Sequence, residues 1–191
     1  MALNFCNNNS LSAITSIPAA ISGGSLNLIS TQTASSSSSL SFTSGIDSTY
    51  KEYIFKYINC HPSVNIPHWT FQGSTNAGSS FGVTITSTNF NAYHAENDSE
   101  AVIEYVAPGD LAQSTNYQRL LTEVNYSDDG SVSGALHLFE PSSTTFVKHF
   151  LAKTTHGYNA SPAFVMNSFI AGYFNTQQIL QLYNLNLLQE T

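Results

Sequence analysis

Leu138-Phe-Glu-Pro-Ser-Ser-Thr-Thr-Phe-Val-Lys-His-Phe-Leu151 is the stretch that decides the fold. Two apolar runs, Leu136 to Phe139 and Phe146 to Leu151, flank Glu140 to Thr145. Pro141 fixes its own φ, and the hydroxyls of Ser142 to Thr145 can bond to nearby backbone, so the unit reads as strand, turn, strand. That is a β-hairpin.

Working outward, the same grammar recurs. Ser131 to Phe139 leads into this hairpin from the turn Asp128-Asp-Gly130, and Phe164 to Phe174 supplies a late strand. Upstream, Tyr50 to Cys60 is the strongest strand, with Tyr53, Phe55 and Tyr57 on one face and Ile54, Ile58 and Cys60 on the other. A strand apolar on both faces has to be covered on both. The second cover is expected from the N-terminal arm, a loop or another subunit; the pattern favours assembly and makes Tyr53, Phe55 and Tyr57 candidate interface residues. His68 to Phe71, Gly82 to Thr86, Asn89 to Tyr93 and Ala101 to Val106 are further short strands, broken by turn-formers such as Gly73 to Gly78 and Pro108-Gly109. Leu26 to Ile29 reads as a first strand. The end of the serine run, Leu40 to Phe42, reads as strand or flexible loop, and Leu111 to Glu123 as a helical or coil excursion. Many strands, short turns and one long connection point to an all-β antiparallel β-sandwich, jelly-roll-like. The domain is expected over residues 28–191, behind an extended arm at 1–27.

Composition agrees with an all-β chain. Aromatic residues make up 12% and charged residues only 9% of the 191. With so little charge, the surface relies on hydroxyls and amides, which suits a protein covered by neighbours in an assembly. Five basic against twelve acidic residues give a net charge of −7, with no cluster of Lys or Arg to displace counterions from phosphates, so nucleic acid is not expected as a partner. The first charged side chain is Asp47 and no apolar run nears the roughly 20 residues of a membrane span, so neither an export signal nor membrane insertion is expected. Cys6 and Cys60 belong to no metal or redox pattern.

Catalytic chemistry finds no motif. His137 and His149 lie on the two arms of the central hairpin with Glu140 between them, but each shares its face with aliphatic residues and reads as a half-buried side chain rather than a metal ligand. Glu96, Asp98, Glu100, Glu104, Asp128 and Asp129 are explained by loop and turn chemistry, and sequence spacing cannot set the gap a carboxylate pair needs. No nucleophile elbow or phosphate loop is present. The expectation is therefore no enzyme, no catalytic residue, no metal and no cofactor. Aromatic rings in loops could stack on sugars, with Tyr126 and Tyr158, beside Asn and Gly, the candidate glycan contacts. Trp69, alternating with Phe71, is expected in the core.

Five segments together carry a resemblance: Leu28 to Tyr50, Glu52 to Asn59 with His61-Pro62, Ser114 to Tyr117 after Asp110-Leu-Ala112, Leu136 to Phe150, and Ala171 to Thr176. They resemble a family of virion proteins from tailed bacteriophages, marine and cyanobacterial ones especially. The resemblance implies a structural component of the particle, either a capsid decoration or cement protein or a tail-associated one, located in the virion and assembled in the host cytoplasm. Its partners would be copies of itself and other virion proteins, and the doubly apolar Tyr53 to Cys60 strand, which wants a cover beyond one sandwich, makes a trimer the expected oligomer. A host-surface carbohydrate-binding module of a phage fibre is the alternative. The chain departs from the family after Thr176. A lysine-containing closing strand gives way to the uncharged, leucine-rich run Gln177 to Leu188, so the closing strand is either replaced or cut short. An apolar sheet edge left unpaired there would attract another chain.

Overall fold

The computed structural model describes residues 26–42, 44–62, 68–121, 130–158, 162–180 and 182–188. The chain divides into Met1–Thr31 and Gln32–Thr191. Most of the arm expected at 1–27 lies outside the described residues. Leu26 to Ile29, read as a first strand, has no strand structure.

Ten strands follow: β1 (Ser39–Phe42), β2 (Glu52–Cys60), β3 (His68–Ser74), β4 (Ile85–Ala95), β5 (Ala101–Tyr105), β6 (Gln118–Leu121), β7 (Val132–Phe139), β8 (Lys148–Tyr158), β9 (Phe164–Phe174) and β10 (Leu182–Leu188). Among the described residues the only helical piece is one 3-10 turn, Ala107–Gly109. Two antiparallel sheets form, in the orders β1-β10-β3-β6 and β2-β7-β8-β9-β4-β5.

The pairings are nested. β1 pairs with β10, β2 with β7, β3 with β6 and β4 with β5, and successive pairs alternate between the two sheets. A long antiparallel ribbon wound over itself in this way is a jelly roll. It carries one elaboration: where an eight-stranded jelly roll has a single strand between the partners of β2 and β4, this chain has the meander β7-β8-β9. The central hairpin of the sequence reading is the β7–β8 step of that meander. Its connection is longer than the turn residues suggested, because pairing stops at Leu138 and Phe150 and Phe146 is 72% exposed instead of in a strand.

Lys148 explains that connection. Its side chain is fully buried, and Nζ donates to the carbonyls of Ser143 (2.5 Å), Phe146 (2.9 Å) and Thr176 (3.0 Å). An ammonium has three donors, and all three are satisfied by backbone. Desolvation holds its pKa below the ordinary lysine value.

The core lies between the sheets. Phe71 of β3 meets Phe150 of β8 at 5.1 Å and Phe174 of β9 at 6.1 Å, each edge to face, the geometry that aromatic quadrupoles favour. Trp69, 3% exposed, packs against Tyr57 at 4.7 Å. Tyr53 and Tyr57 are also core residues, and Phe55 packs on the core edge against Phe42 of β1. This corrects the interface expectation for Tyr53, Phe55 and Tyr57: they face the chain's own second sheet. Tyr53 Oη donates to Asp47, and Tyr57 Oη is 2.5 Å from Thr154 Oγ1, so the buried phenols have partners within the chain. Ile58, at 71% exposure, is on the uncovered face of the same strand.

Two further expectations change. Ile85 and Thr86, from the Gly82 to Thr86 run, and Asn89 to Tyr93 are parts of one strand, β4, while Gly82 to Thr84 lie outside it, and as far as it is described, to Leu121, the excursion from Leu111 forms coil and then strand β6, not helix. The leucine-rich run after Leu180 is not an open edge: β10 lies inside the four-stranded sheet, paired with β1 on one side and β3 on the other.

Candidate functional site

Two regions of the six-stranded sheet stand out, one on each face. Outward-pointing residues register across it as the row Lys56, Ala135, Lys153, Phe169, Phe90, Tyr105. Phe90 and Phe169 stack at 4.9 Å with their planes 8° apart, and Lys153 Nζ sits 5.2 Å above the Phe169 ring. Ile103 (77% exposed), Tyr105 (64%), Leu151 (52%) and Phe90 (42%) make this face apolar and open to solvent. A shallow groove crosses it, lined by Phe90, His137, Leu151, Lys153 and Phe169. One end of the row is basic, at Lys56 and Lys153. The other borders the β4–β5 hairpin, whose exposed stretch carries Glu96, Asp98, Glu100 and Glu104.

The inward face is apolar at one end only. Towards the other end it carries Thr154, Ser168 and Asn91 in one register row, His156 and Met166 in the next, and Asn89 two residues before Asn91 on the same strand. All six are buried. Thr154 is satisfied by Tyr57, but among the described residues His156 Nδ1 and Nε2, Ser168 Oγ, Asn91 Oδ1 and both amide atoms of Asn89 have no hydrogen-bond partner. Gln118 extends the line from the opposite sheet: its Nε2 donates to Gly109 O at 2.9 Å, and its Oε1 is unpartnered. Gly109 has to be glycine here, because a Cβ would collide with the Asn89 amide. Burial pushes the His156 imidazole down to about 4, so it is neutral at pH 7.

Beyond His156 the same inward face ends in a half-exposed aromatic group. Phe164 lies 5.4 Å from Tyr93 and 6.4 Å from Tyr158, and Tyr93 Oη donates to Glu100 Oε1 at 3.3 Å. Tyr158, a glycan candidate from the sequence, therefore sits in a cluster at one end of the sandwich. Tyr126, the other candidate, lies outside the described residues, as do Asp128 and Asp129.

The structure does not bring the hairpin histidines together with Glu140. His137 Nδ1 is 2.7 Å from Glu52 Oε1, His149 packs against Tyr173 at 5.9 Å, and Glu140 pairs with Lys51 at 2.9 Å. These are exposed ion pairs and ring contacts, each worth little in stability. The unpartnered interior residues were missed by sequence reasoning, although a signal existed. Asn89 and Asn91 alternate in step with Ile85, which places amides on the core face of a strand.

Comparison of the chain with family models, with curated proteins and with solved structures finds no match in any of the three.

Proposed function

We propose that this chain is a non-enzymatic structural protein of a tailed-bacteriophage particle, a capsid decoration or tail-associated component that associates with copies of itself and with other virion proteins. The observation that carries the proposal is the open apolar row on the outer face of the six-stranded sheet. Exposed apolar area of this kind, continuous across several strands, is what a subunit contact covers. The row is also polar in its charge distribution, basic at Lys56 and Lys153 and bordered by acidic residues at the β4–β5 hairpin. Two copies related by a two-fold axis would set unlike ends against each other, because an isologous contact pairs each patch with itself reversed. The resemblance of the five sequence segments to virion proteins supplies the biological setting. Sequence reading expected three copies, and its reason was the doubly apolar β2. With Tyr53, Phe55 and Tyr57 covered inside the chain, the outer row takes over as the reason for assembly.

Two measurements test the proposal. Sedimentation equilibrium of the purified chain should give an oligomer that dissociates on Phe90→Ser with Ile103→Ser, both on the open outer face, with circular dichroism checking that the variant is still folded. Antibody against the chain should label intact particles in electron micrographs. A monomer at high micromolar concentration removes the assembly reading, and particles without label remove the virion setting.

The aromatic group Tyr93, Phe164 and Tyr158 favours a second reading, adhesion to host-surface glycan, since ring faces beside carboxylate and hydroxyl groups suit a sugar. Binding on a glycan array that Tyr158→Ala abolishes would favour it. An array blank with a folded protein would sink it.

A further inference from the structure

We infer that the polar half of the sandwich interior is a built hydration site, holding ordered water that bridges His156, Ser168 and Asn91 and, beyond them, Asn89 and Gln118. Every one of these side chains is at least nine-tenths buried, and each carries at least one unpartnered polar atom. Leaving them so would cost about 1–3 kcal/mol per group, too much for one domain to leave uncompensated at five neighbouring positions.

The chemistry of the set selects the guest. Asn89 Oδ1, Asn91 Oδ1 and Gln118 Oε1 accept, Asn89 Nδ2 donates, and the Ser168 hydroxyl and the imidazole can supply one of each. None of the five is a carboxylate, ammonium or guanidinium, so the five themselves offer neither a metal ion nor an anion a counter-charge; the one buried unpartnered carboxylate oxygen among the described residues, Asp110 Oδ1, belongs to the residue after Gly109, and its Oδ2 accepts from the Tyr105 hydroxyl. A neutral molecule that both donates and accepts fits, and water needs two to four such partners. Spacing agrees. Ser168 and Asn91 are directly opposed on adjacent strands, and Asn89 and Asn91 are two positions apart, about 7 Å along the strand, a gap that a chain of two waters spans.

A crystal structure of the full chain at a resolution that shows water tests this directly, with density expected about 2.8 Å from at least two of the five side chains. Oxygen-17 relaxation dispersion in solution should count long-lived waters in the wild type and fewer in Ser168→Ala with Asn91→Leu. The same double variant gives an independent reading of stability. If water is bound, its denaturation midpoint falls or holds, because the guest's hydrogen bonds are removed. In a dry site the midpoint rises, because desolvated groups have been replaced by apolar ones. Resolved side chains with no density within reach, or a raised midpoint, overturn the inference. Should the variant fail to fold, the wild-type map decides.

Discussion

Acid should loosen this fold through one residue, His156. It is 3% exposed, its cross-strand neighbours Val132 and Met166 are apolar, and none of its register partners on β7, β8 or β9 is charged. Tyr93, opposite Met166 on β4, is neutral at these pH values, and its hydroxyl bonds to Glu100. Burial lowers the imidazole pKa from 6.5 to about 4. The folded state therefore resists a proton that the unfolded chain accepts. Stability is fully present above about pH 6.5, falls as the solution is acidified and stops falling below about pH 4. With those two pKa values the loss attributable to His156 is about 2 kcal/mol at pH 5 and about 3 kcal/mol at pH 4. Carboxylates add their own pH dependence, so the assay is a difference. Urea denaturation of wild type and His156→Gln at pH 7 and at pH 5 isolates the histidine, since the carboxylates are common to both. The wild type should lose about 2 kcal/mol more than the variant between the two pH values. Equal losses would refute the reasoning, because they would mean that the native imidazole takes up a proton as readily as the unfolded one.

Three further substitutions probe the packing. Gly134→Ala would drive a Cβ into the Lys153 carbonyl and the Tyr57 ring, and a thermal melt should show a loss of about 1–3 kcal/mol. Phe71→Ala empties the ring that joins β3 to Phe150 and Phe174, and chemical denaturation should register about 3–5 kcal/mol. Lys148→Met leaves the carbonyls of Ser143, Phe146 and Thr176 without their donor, so the 140–147 connection should open and a chymotrypsin-like protease should cut at exposed Phe146 several times faster than in the wild type.

Much of the fold was legible in the sequence because alternation survives wherever one face of a strand is buried and the other wet. β2, β5, β7 and β9 were placed within a few residues on that signal, and Trp69 was placed in the core by its spacing from Phe71. The signal failed where the reason for burial was not local. Lys148 in an apolar run reads as an outward residue, yet it alternates in step with buried Phe150, and three carbonyls, of Ser143 and Phe146 close by and of Thr176 from 28 positions away, receive its ammonium there. β10 alternates Tyr183, Leu185 and Leu187 with Asn184 and Asn186, but its place between β1 and β3 is a property of the closed ribbon, which the run alone does not state. Tyr53 and Tyr57 showed correctly that β2 has an apolar face, but composition cannot tell whether the cover is the same chain or another. The outer row was illegible for the same reason. Phe90, Ile103, Leu151 and Phe169 come from four strands, and only the register brings them side by side.

The added meander ties the two faces together. A six-stranded sheet spans about 24 Å between its outermost strand axes, a four-stranded one about 14 Å, so the smaller sheet cannot cover the larger. The shortfall falls at β4 and β5. There the lid is the segment between β5 and β6: Gly109 lies against Asn89, Leu111 O accepts from Ser87 N at 2.9 Å, and Ser114 bridges to Ile85. That segment brings its own peptide groups, and Ser87 meets one of them, its Oγ accepting from Leu111 N at 2.9 Å, whereas both amide atoms of Asn89 and Oδ1 of Asn91, on the same strand, have no partner among the described residues. On the opposite face the same extra strands widen the surface that no second sheet covers, and that surface is the one with the exposed aromatic row. Deleting β8 and β9 and joining β7 to β10 would take Leu151, Lys153 and Phe169 from the outer row and His156 and Ser168 from the polar interior, while Phe90, Ile103 and Tyr105 and the amides Asn89, Asn91 and Gln118 stay in place on β4, β5 and β6.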